Sequence, residues 1–289
     1  MAQRTAVLIV AGGSGTRCGG SMPKQFRLLG GRPVLARTID LFAAALRGAE
    51  IVVVLPERYI DFWKNFAARF DVPAHKVVAG GEERFYSVRN GLEALCSEPE
   101  LIAVHDAVRP FATPELIRRV AEAAAECGAA IPVVVPADSF REVGPQQGNH
   151  TPAADGCTDH ATGSDGAADD SHCIDRSRLR IVQTPQIFRT DWLRAAYRTP
   201  YDPQFTDDAS VVEAAGHPVQ LVEGERTNLK ITTPDDFLLA EALLTVLEER
   251  DSEEHAPADE PAARTMHDRT DESSVATDRT TDAATENAE

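Results

Sequence analysis

Two short runs in this sequence carry residue types at spacings suited to phosphate chemistry. The first is Ala11-Gly12-Gly13-Ser14-Gly15-Thr16-Arg17, followed by Met22-Pro23-Lys24-Gln25. Glycines let backbone N–H groups approach an anion closely, and basic residues just beyond can neutralise its charge. Arg17 and Lys24 supply that charge here. A Walker loop is absent, because G-x-x-x-x-G-K-[ST] does not occur. The dinucleotide fingerprint also fails, since Cys18 stands where its third glycine would be. An ordinary strand-to-helix turn is the alternative, and the two cations weigh against it.

The second run is His105-Asp106-Ala107-Val108-Arg109-Pro110, directly after the apolar Leu101-Ile102-Ala103-Val104. A carboxylate at a strand end suits Mg²⁺, which prefers one or two carboxylates plus substrate phosphates. Asp106 could instead cap a turn or pair with Arg109. His105 is read as a packed, hydrogen-bonded residue with no catalytic role. A third run, Gly80-Gly81-Glu82-Glu83-Arg84 with Ser87 one helical turn on, is either a plain turn or the backbone lining of a base pocket.

Positioning such residues requires strands and helices in alternation. Continuous apolar runs at Ala6-Val7-Leu8-Ile9-Val10 and Ile51-Val52-Val53-Val54-Leu55 suit strands covered on both faces. Further strands are expected at 76–79, 101–104, 130–135, 180–182 and 219–222. Helices are expected near 34–46, 58–70, 87–96, 190–197, 207–215 and 234–249. Thr113-Pro114-Glu115 has the form of a helix N-terminus with Pro in the first turn. This alternation implies an α/β fold whose sheet is mostly parallel, with helices on both faces. In such sheets ligands sit beyond the carboxyl ends of the strands, where all three runs fall.

The chain has 289 residues, 29 of them basic and 46 acidic, for a net charge of −17. That excess argues against a nucleic-acid partner and against docking on an anionic membrane surface. No apolar run approaches the roughly 20 residues that span a bilayer, and no signal peptide is expected. Five scattered cysteines fit a reducing cytoplasm. The charge is unevenly placed. Residues 251–289 hold twelve acids and three bases, and residues 144–173 hold five acids and no base. The tail is expected to be disordered, because it cannot bury enough apolar surface to offset its ordering entropy. The 144–173 stretch lacks every large apolar residue type and is read as a solvated low-complexity insert. It contains His150, Cys157, His160, His172 and Cys173 but no complete four-ligand zinc pattern. The remainder of the chain is close to neutral, at −3.

Six motifs in order make the chain resemble the 2-C-methyl-D-erythritol 4-phosphate cytidylyltransferase family over roughly residues 5–245. Three are the runs above. The others are Gln183-Thr184-Pro185-Gln186, Thr206-Asp207-Asp208-Ala209-Ser210 and Asn228-Leu229-Lys230-Ile231-Thr232. The resemblance implies a Rossmann-like nucleotidyltransferase domain over 1–250 with a protruding dimerisation arm at about 136–180. It implies Mg²⁺ or another divalent cation, CTP and a small alcohol phosphate as partners, and a homodimer. Arg17 and Lys24 would bind the triphosphate and stabilise the transition state, with Ala11, Gly12, Gly13 and Gly15 around it. Gly81, Glu82 and Ser87 would read cytosine, Ser87 through its hydroxyl. Asp106 and Lys230 would hold the alcohol phosphate, with Asp106 near the metal. Arg109, Ser139, Arg176 and Thr206 would serve the neighbouring subunit's site. Cys18, Glu82 and Ser139 depart from the family's frequent Met, Asp and Thr, and the 144–173 insert falls within the arm. A ribitol 5-phosphate cytidylyltransferase shares the first loop and the His105–Pro110 run. A catalytically silent scaffold that binds partners through the acidic tail is the rival of another class.

Overall fold

The computed structural model describes residues 4–11, 22–143 and 171–254. In chain order the strands are β1 (Thr5–Val10), β2 (Leu28–Leu29), β3 (Arg32–Pro33), β4 (Ile51–Leu55), β5 (Lys76–Ala79) and β6 (Leu101–Asp106). They continue as β7 (Ala129–Val134), β8 (Phe140–Val143), β9 (Ser171–Ile174), β10 (Ile181–Val182), β11 (Gln186–Arg189) and β12 (Gln220–Glu223). The α-helices are α1 (Val34–Ala45), α2 (Ile60–Ala67), α3 (Arg84–Ala94), α4 (Pro114–Cys127), α5 (Thr190–Ala196), α6 (Asp208–Ala214) and α7 (Pro234–Glu254).

Eight strands form one sheet. The run β6-β1-β4-β5 is parallel throughout, and β12 lies parallel to β7. Between these blocks β11 runs antiparallel to both β6 and β7. It continues the edge that β10 begins on β7, but from the pair Val182–Val133 to the pair Ile187–Ala130 the chain advances five positions while β7 moves three. Such a slip bulges the strand and turns its side chains out of the ladder. Gln183 and Thr184 stand at that bulge.

Alternation along β1 shows why its run is apolar throughout. Val7 and Ile9 pack with Leu35, Ile39 and Phe42 of α1 and Leu116 and Val120 of α4. Leu8 and Val10 face the other way, onto Phe85, Val88 and Leu92 of α3. A third cluster seats α7 through Phe237 and Ala240 on Leu29, Val34, Val108, Phe111 and Ile231. The Thr113-Pro114 start of α4 is confirmed, with Thr113 Oγ1 accepting from Leu116 N–H at 3.1 Å. At α7, Thr233 and Asp236 cap reciprocally: Asp236 N–H donates to Thr233 Oγ1 at 3.2 Å and Thr233 N–H to Asp236 Oδ2 at 2.8 Å.

Four expectations shift. Helix α3 starts at Arg84, one turn earlier than expected, with Glu83 as its cap. Strand β11 was not legible as a strand, because a four-residue run with Gln at one end and Arg at the other has no apolar period. The final helix runs to Glu254, whereas the compact unit ends at Glu248. Ser171, His172 and Cys173, assigned to the insert, instead form β9 against β8, with His172 Nε2 3.0 Å from Glu142. Backbone pairing needs no large apolar side chain, so composition alone hid this strand. The expected tail disorder beyond 254, and His150, Cys157 and His160, lie outside the described residues.

Candidate active site

Three connected strand ends build the site. Val10 and Asp106 are register partners at the carboxyl ends of β1 and β6. Gly80 follows β5 and hydrogen-bonds back to the end of β4, its N–H donating to the Leu55 carbonyl at 2.8 Å. Ala11 closes β1 and is buried, and its N–H donates to the Val54 carbonyl at 2.9 Å. Gly12, Gly13, Gly15 and Arg17 lie outside the described residues.

Lys24 begins a single 3-10 turn, Lys24–Phe26. The buried Gln25 fastens this turn to the strand end, its Nε2 donating to the Ala11 carbonyl at 3.3 Å. Lys24 is thereby held beside the exit of β1. Its charge reaches Asp236: burial opposes ionisation of that carboxyl, but the N–H groups of Thr233 and Thr232 and the Lys24 ammonium hold it below its usual range.

The Gly80-Gly81 loop is shaped by Ser87. Its hydroxyl accepts from Gly81 N–H at 3.1 Å and donates to the Glu83 carbonyl at 3.2 Å. A Cβ at Gly80 would stand 2.7 Å from Ser87 Oγ, and one at Gly81 would stand 2.3 Å from Tyr86 Cβ. Both glycines are therefore dictated by close approach. Ser87 is buried, so here its hydroxyl serves the loop, while Gly81 and Glu82 are exposed.

Around Asp106 the charges converge. Its carboxylate lies 3.0 Å from Lys230 Nζ, 3.3 Å from Arg109 Nε and 3.9 Å from Arg84 Nε. Burial would raise the Asp106 pKa, but Arg84, Lys230 and Arg109 outweigh it and hold the carboxyl far below the usual carboxylate range. Arg109 is buried, and its guanidinium also donates to the carbonyls of Asn228 at 2.8 Å and Val182 at 3.5 Å. These contacts seat it beside Asp106 in its own chain. Lys230 differs, with its side chain 45% exposed.

The backbone beneath is equally tied. Thr184 Oγ1 accepts from Asp106 N–H at 3.1 Å and lies 3.1 Å from His105 Nδ1. Asn228 Nδ2 donates to the Thr184 carbonyl at 2.8 Å. The Thr184 proton then points to His105 Nδ1, and His105 Nε2–H donates to the Arg109 carbonyl at 3.0 Å. This is a neutral imidazole. Burial lowers its pKa to about 4, despite the Arg109 carbonyl and Asp106. His105 is thus a packed, hydrogen-bonded residue.

A pH dependence follows. An unfolded His titrates near 6.5, so the folded state resists protonation that the unfolded chain accepts. The stabilisation is complete above pH 6.5 and is lost as pH falls toward about 4. Unfolding free energies from urea titrations at pH 7 and pH 4.5 are expected to differ by roughly 2 kcal/mol. The depressed carboxyl of Asp106 adds little in this window, because an unfolded Asp, titrating near 3.9, is itself still mostly ionised at pH 4.5; its contribution is lost at lower pH. A flat profile between these two pH values would show that His105 is not held neutral.

Of the residues assigned to a substrate, the fold brings Asp106, Arg109 and Lys230 together. Thr206 is exposed in the turn before α6. Ser139 and Arg176 are exposed on the arm, where Arg176 donates to the Ala137 carbonyl at 2.6 Å. Neither joins the contacts around Asp106 among the described residues. Arg84 and Asp208, by contrast, belong to the site and had no assigned role. They are 124 residues apart, and no local pattern signals their pairing.

The expected metal ligand fits poorly. A carboxylate already facing three cationic side chains is a weak seat for Mg²⁺, whose ligands must supply negative charge. Among the described residues no group of three His, Cys, Asp or Glu side chains could hold a metal ion.

Comparisons with known proteins agree with this arrangement. The family model for 2-C-methyl-D-erythritol 4-phosphate cytidylyltransferase (IspD) matches residues 5–246. The Bacteroides thetaiotaomicron protein of that name is 43% identical over 242 residues, covering 83% of this chain and all of its relative. The Bacteroides fragilis protein is 44% identical over 243 residues, covering 83% of this chain and 99% of the relative. The crystal structure of the Thermus thermophilus enzyme superposes with a TM-score of 0.60 at 35% identity, over 84% of this chain and all of that one. A match across nearly the whole compact unit, with identity above 40% to full-length relatives, places this chain in the 2-C-methyl-D-erythritol 4-phosphate cytidylyltransferase family.

Proposed function

We propose that the chain transfers CMP from CTP to 2-C-methyl-D-erythritol 4-phosphate, in the methylerythritol phosphate route to isoprenoids. The products are 4-diphosphocytidyl-2-C-methyl-D-erythritol and pyrophosphate. The observation that carries this is the half-exposed Lys230 beside buried Asp106, at the same sheet edge as the Lys24 turn. A phosphate oxygen of the alcohol phosphate attacks the α-phosphorus of CTP, and the bond to the pyrophosphate oxygen breaks. The attacking phosphate is already an anion at neutral pH, so no general base is needed. A buried neutral His105 is consistent with that economy.

The obstacle is electrostatic. Two like charges about 4 Å apart at an effective dielectric near 20 repel by roughly 4 kcal/mol. Arg17 and Lys24 would offset this on the triphosphate and stabilise charge spreading in the transition state. Lys230 would offset it on the attacking phosphate, and Asp106 would orient that substrate. Gly81 and Glu82 would face cytosine, with Ser87 holding their loop. Magnesium enters with the triphosphate as part of the substrate, because the donors at Asp106 do not suit it.

A homodimer supports the same chemistry. On the arm, Phe140 is 37% and Val143 57% exposed, and on β10 of the main sheet Ile181 is 47% exposed. Exposed apolar side chains such as these are surface that a second copy can cover. Ser139, Arg176 and Thr206 would then complete the partner's site. Replacing Phe140 and Val143 together by Asp is expected to halve the solution mass from twice 31.2 kDa, read by light scattering. A wild-type protein that is already monomeric would overturn the dimer. The exposed thiols of Cys96, Cys127 and Cys173 support a reducing, cytoplasmic setting. Among the described residues no helix is long and apolar enough to cross a membrane.

The test of function is one assay: CTP and Mg²⁺ with either 2-C-methyl-D-erythritol 4-phosphate or ribitol 5-phosphate, followed by mass measurement of the product. Product from the first alone is expected. Preference for ribitol 5-phosphate, or no pyrophosphate with either, would refute the proposal.

A further inference from the structure

Helix α3 brings a third cation to Asp106, and that cation is anchored from behind. The Arg84 guanidinium grips Asp208 with both terminal nitrogens, Nη1 to Oδ1 at 2.9 Å and Nη2 to Oδ2 at 2.6 Å. Asp208 has no solvent exposure, and Tyr197 donates its hydroxyl to Asp208 Oδ1 at 2.6 Å. Burial, together with the Asp208 carboxylate, pushes the Tyr197 phenol up, so it remains a donor. Gln186 fixes the start of α6: its Oε1 accepts from the N–H groups of Asp208 and Ala209, both at 3.0 Å. Its Nε2 donates to Asp207 Oδ2 at 2.8 Å, and Asp207 caps α6. A bidentate Arg–carboxylate pair inside such a network has one geometry and little freedom to leave it.

The charge balance gives this arrangement a use. Asp106 and Asp208 face Arg84, Arg109 and Lys230, which leaves one positive charge in surplus. Arg84 and Arg109 are bound to other groups of the fold and cannot follow a substrate. Lys230, on a flexible and half-exposed stem, can. When Lys230 turns from Asp106 to a phosphate, the two carboxylates remain matched by the two arginines. Without Arg84 the same movement would leave a buried carboxylate undercompensated, a costly state.

We propose that Arg84, clamped by Asp208 and Tyr197, is a positioning residue that holds Asp106 in place while Lys230 moves to the phosphate of the alcohol substrate. The proposal rests on the transferase activity above and gives Arg84, the last residue of the Gly80–Arg84 run, a role on the alcohol-phosphate side. It concerns only the alcohol-phosphate half of the site.

Arg84→Lys keeps the charge but loses the two-pronged grip. In steady-state kinetics, below the melting temperature of both proteins, KM for the alcohol phosphate is expected to rise at least tenfold, with KM for CTP within threefold of wild type. A purely structural role would lower the melting temperature without this split, and unchanged kinetics in folded Arg84→Lys would overturn the proposal. Equal rises in both KM values would also overturn it, in favour of a role in the nucleotide loop. Should Arg84→Lys not fold, Tyr197→Phe loosens the clamp while leaving the ion pair. It is expected to give the same split at about threefold, and no split there would count against the proposal. A wild-type protein that makes no product would instead refute the transferase activity itself, so the two failures are distinct.

Discussion

Lys24→Ala is expected to lower kcat by two to three orders of magnitude while leaving the fold intact, and Arg17→Ala to do the same. Removing one preorganised donor from a site of developing charge typically costs about 2.7–4 kcal/mol, which is a 10²–10³ loss in rate. Lys24 has the placement for such a role, because Gln25 fastens its turn to Ala11 at the end of β1. Its own turn is held by backbone bonds, Phe26 N–H to Pro23 carbonyl at 3.0 Å and Arg27 N–H to Lys24 carbonyl at 3.2 Å, which alanine retains. Asp236 loses a nearby charge but keeps its two N–H donors, so stability should change by less than about 1 kcal/mol. Single-turnover measurement with saturating CTP separates chemistry from binding. A variant with near-normal turnover would remove Lys24 from the transition state.

Asp106→Asn is expected to damage stability and activity together. Neutralising the carboxylate leaves Arg84, Arg109 and Lys230 facing one another, with only Asp208 in compensation. Breaking a buried ion pair by removing one partner commonly costs about 3–5 kcal/mol, and the exposure of Lys230 places the expected loss at the lower end. Activity should fall at least a hundredfold, because the amide neither orients the alcohol substrate nor anchors Lys230. Denaturant unfolding at pH 7 alongside kcat/KM checks both parts. A stability change under about 1 kcal/mol would mean that the three cations relax freely, and the electrostatic account of this cluster would fail. The contrast with Lys24 is one of burial: Lys24 is partly exposed and is expected to act on charge that develops in the reaction, whereas Asp106 is buried among three cations and holds up the fold as well.

The charge of −17 bears on neither experiment. Most of it falls in residues 144–173 and 251–289, whereas Asp106 at the carboxyl end of β6 is surrounded by Arg84, Arg109 and Lys230. Global charge describes solubility and association rather than the field inside a cleft.

What the amino-acid order determined by itself is what depends on neighbours in the chain. Apolar runs such as Val7 to Val10 specify strands covered on both faces, and Thr113-Pro114 and Thr233-Pro234 specify helix starts. The loop glycines and the cations beside them could be read the same way, as could Asp106 at a strand end. The meeting of Arg84 with Asp208 and the bonds of Arg109 to the Asn228 and Val182 carbonyls were decided by tertiary structure. So was the slip between β10 and β11 that presents Thr184 to Asp106. The reason is physical. Periodicity and capping act over a few residues, whereas a buried charge takes its partners from whatever the sheet order brings within 4 Å. For Asp106, Arg109 three residues on was legible in the sequence as a partner, whereas Arg84 and Lys230 come from distant elements that no local pattern links to it.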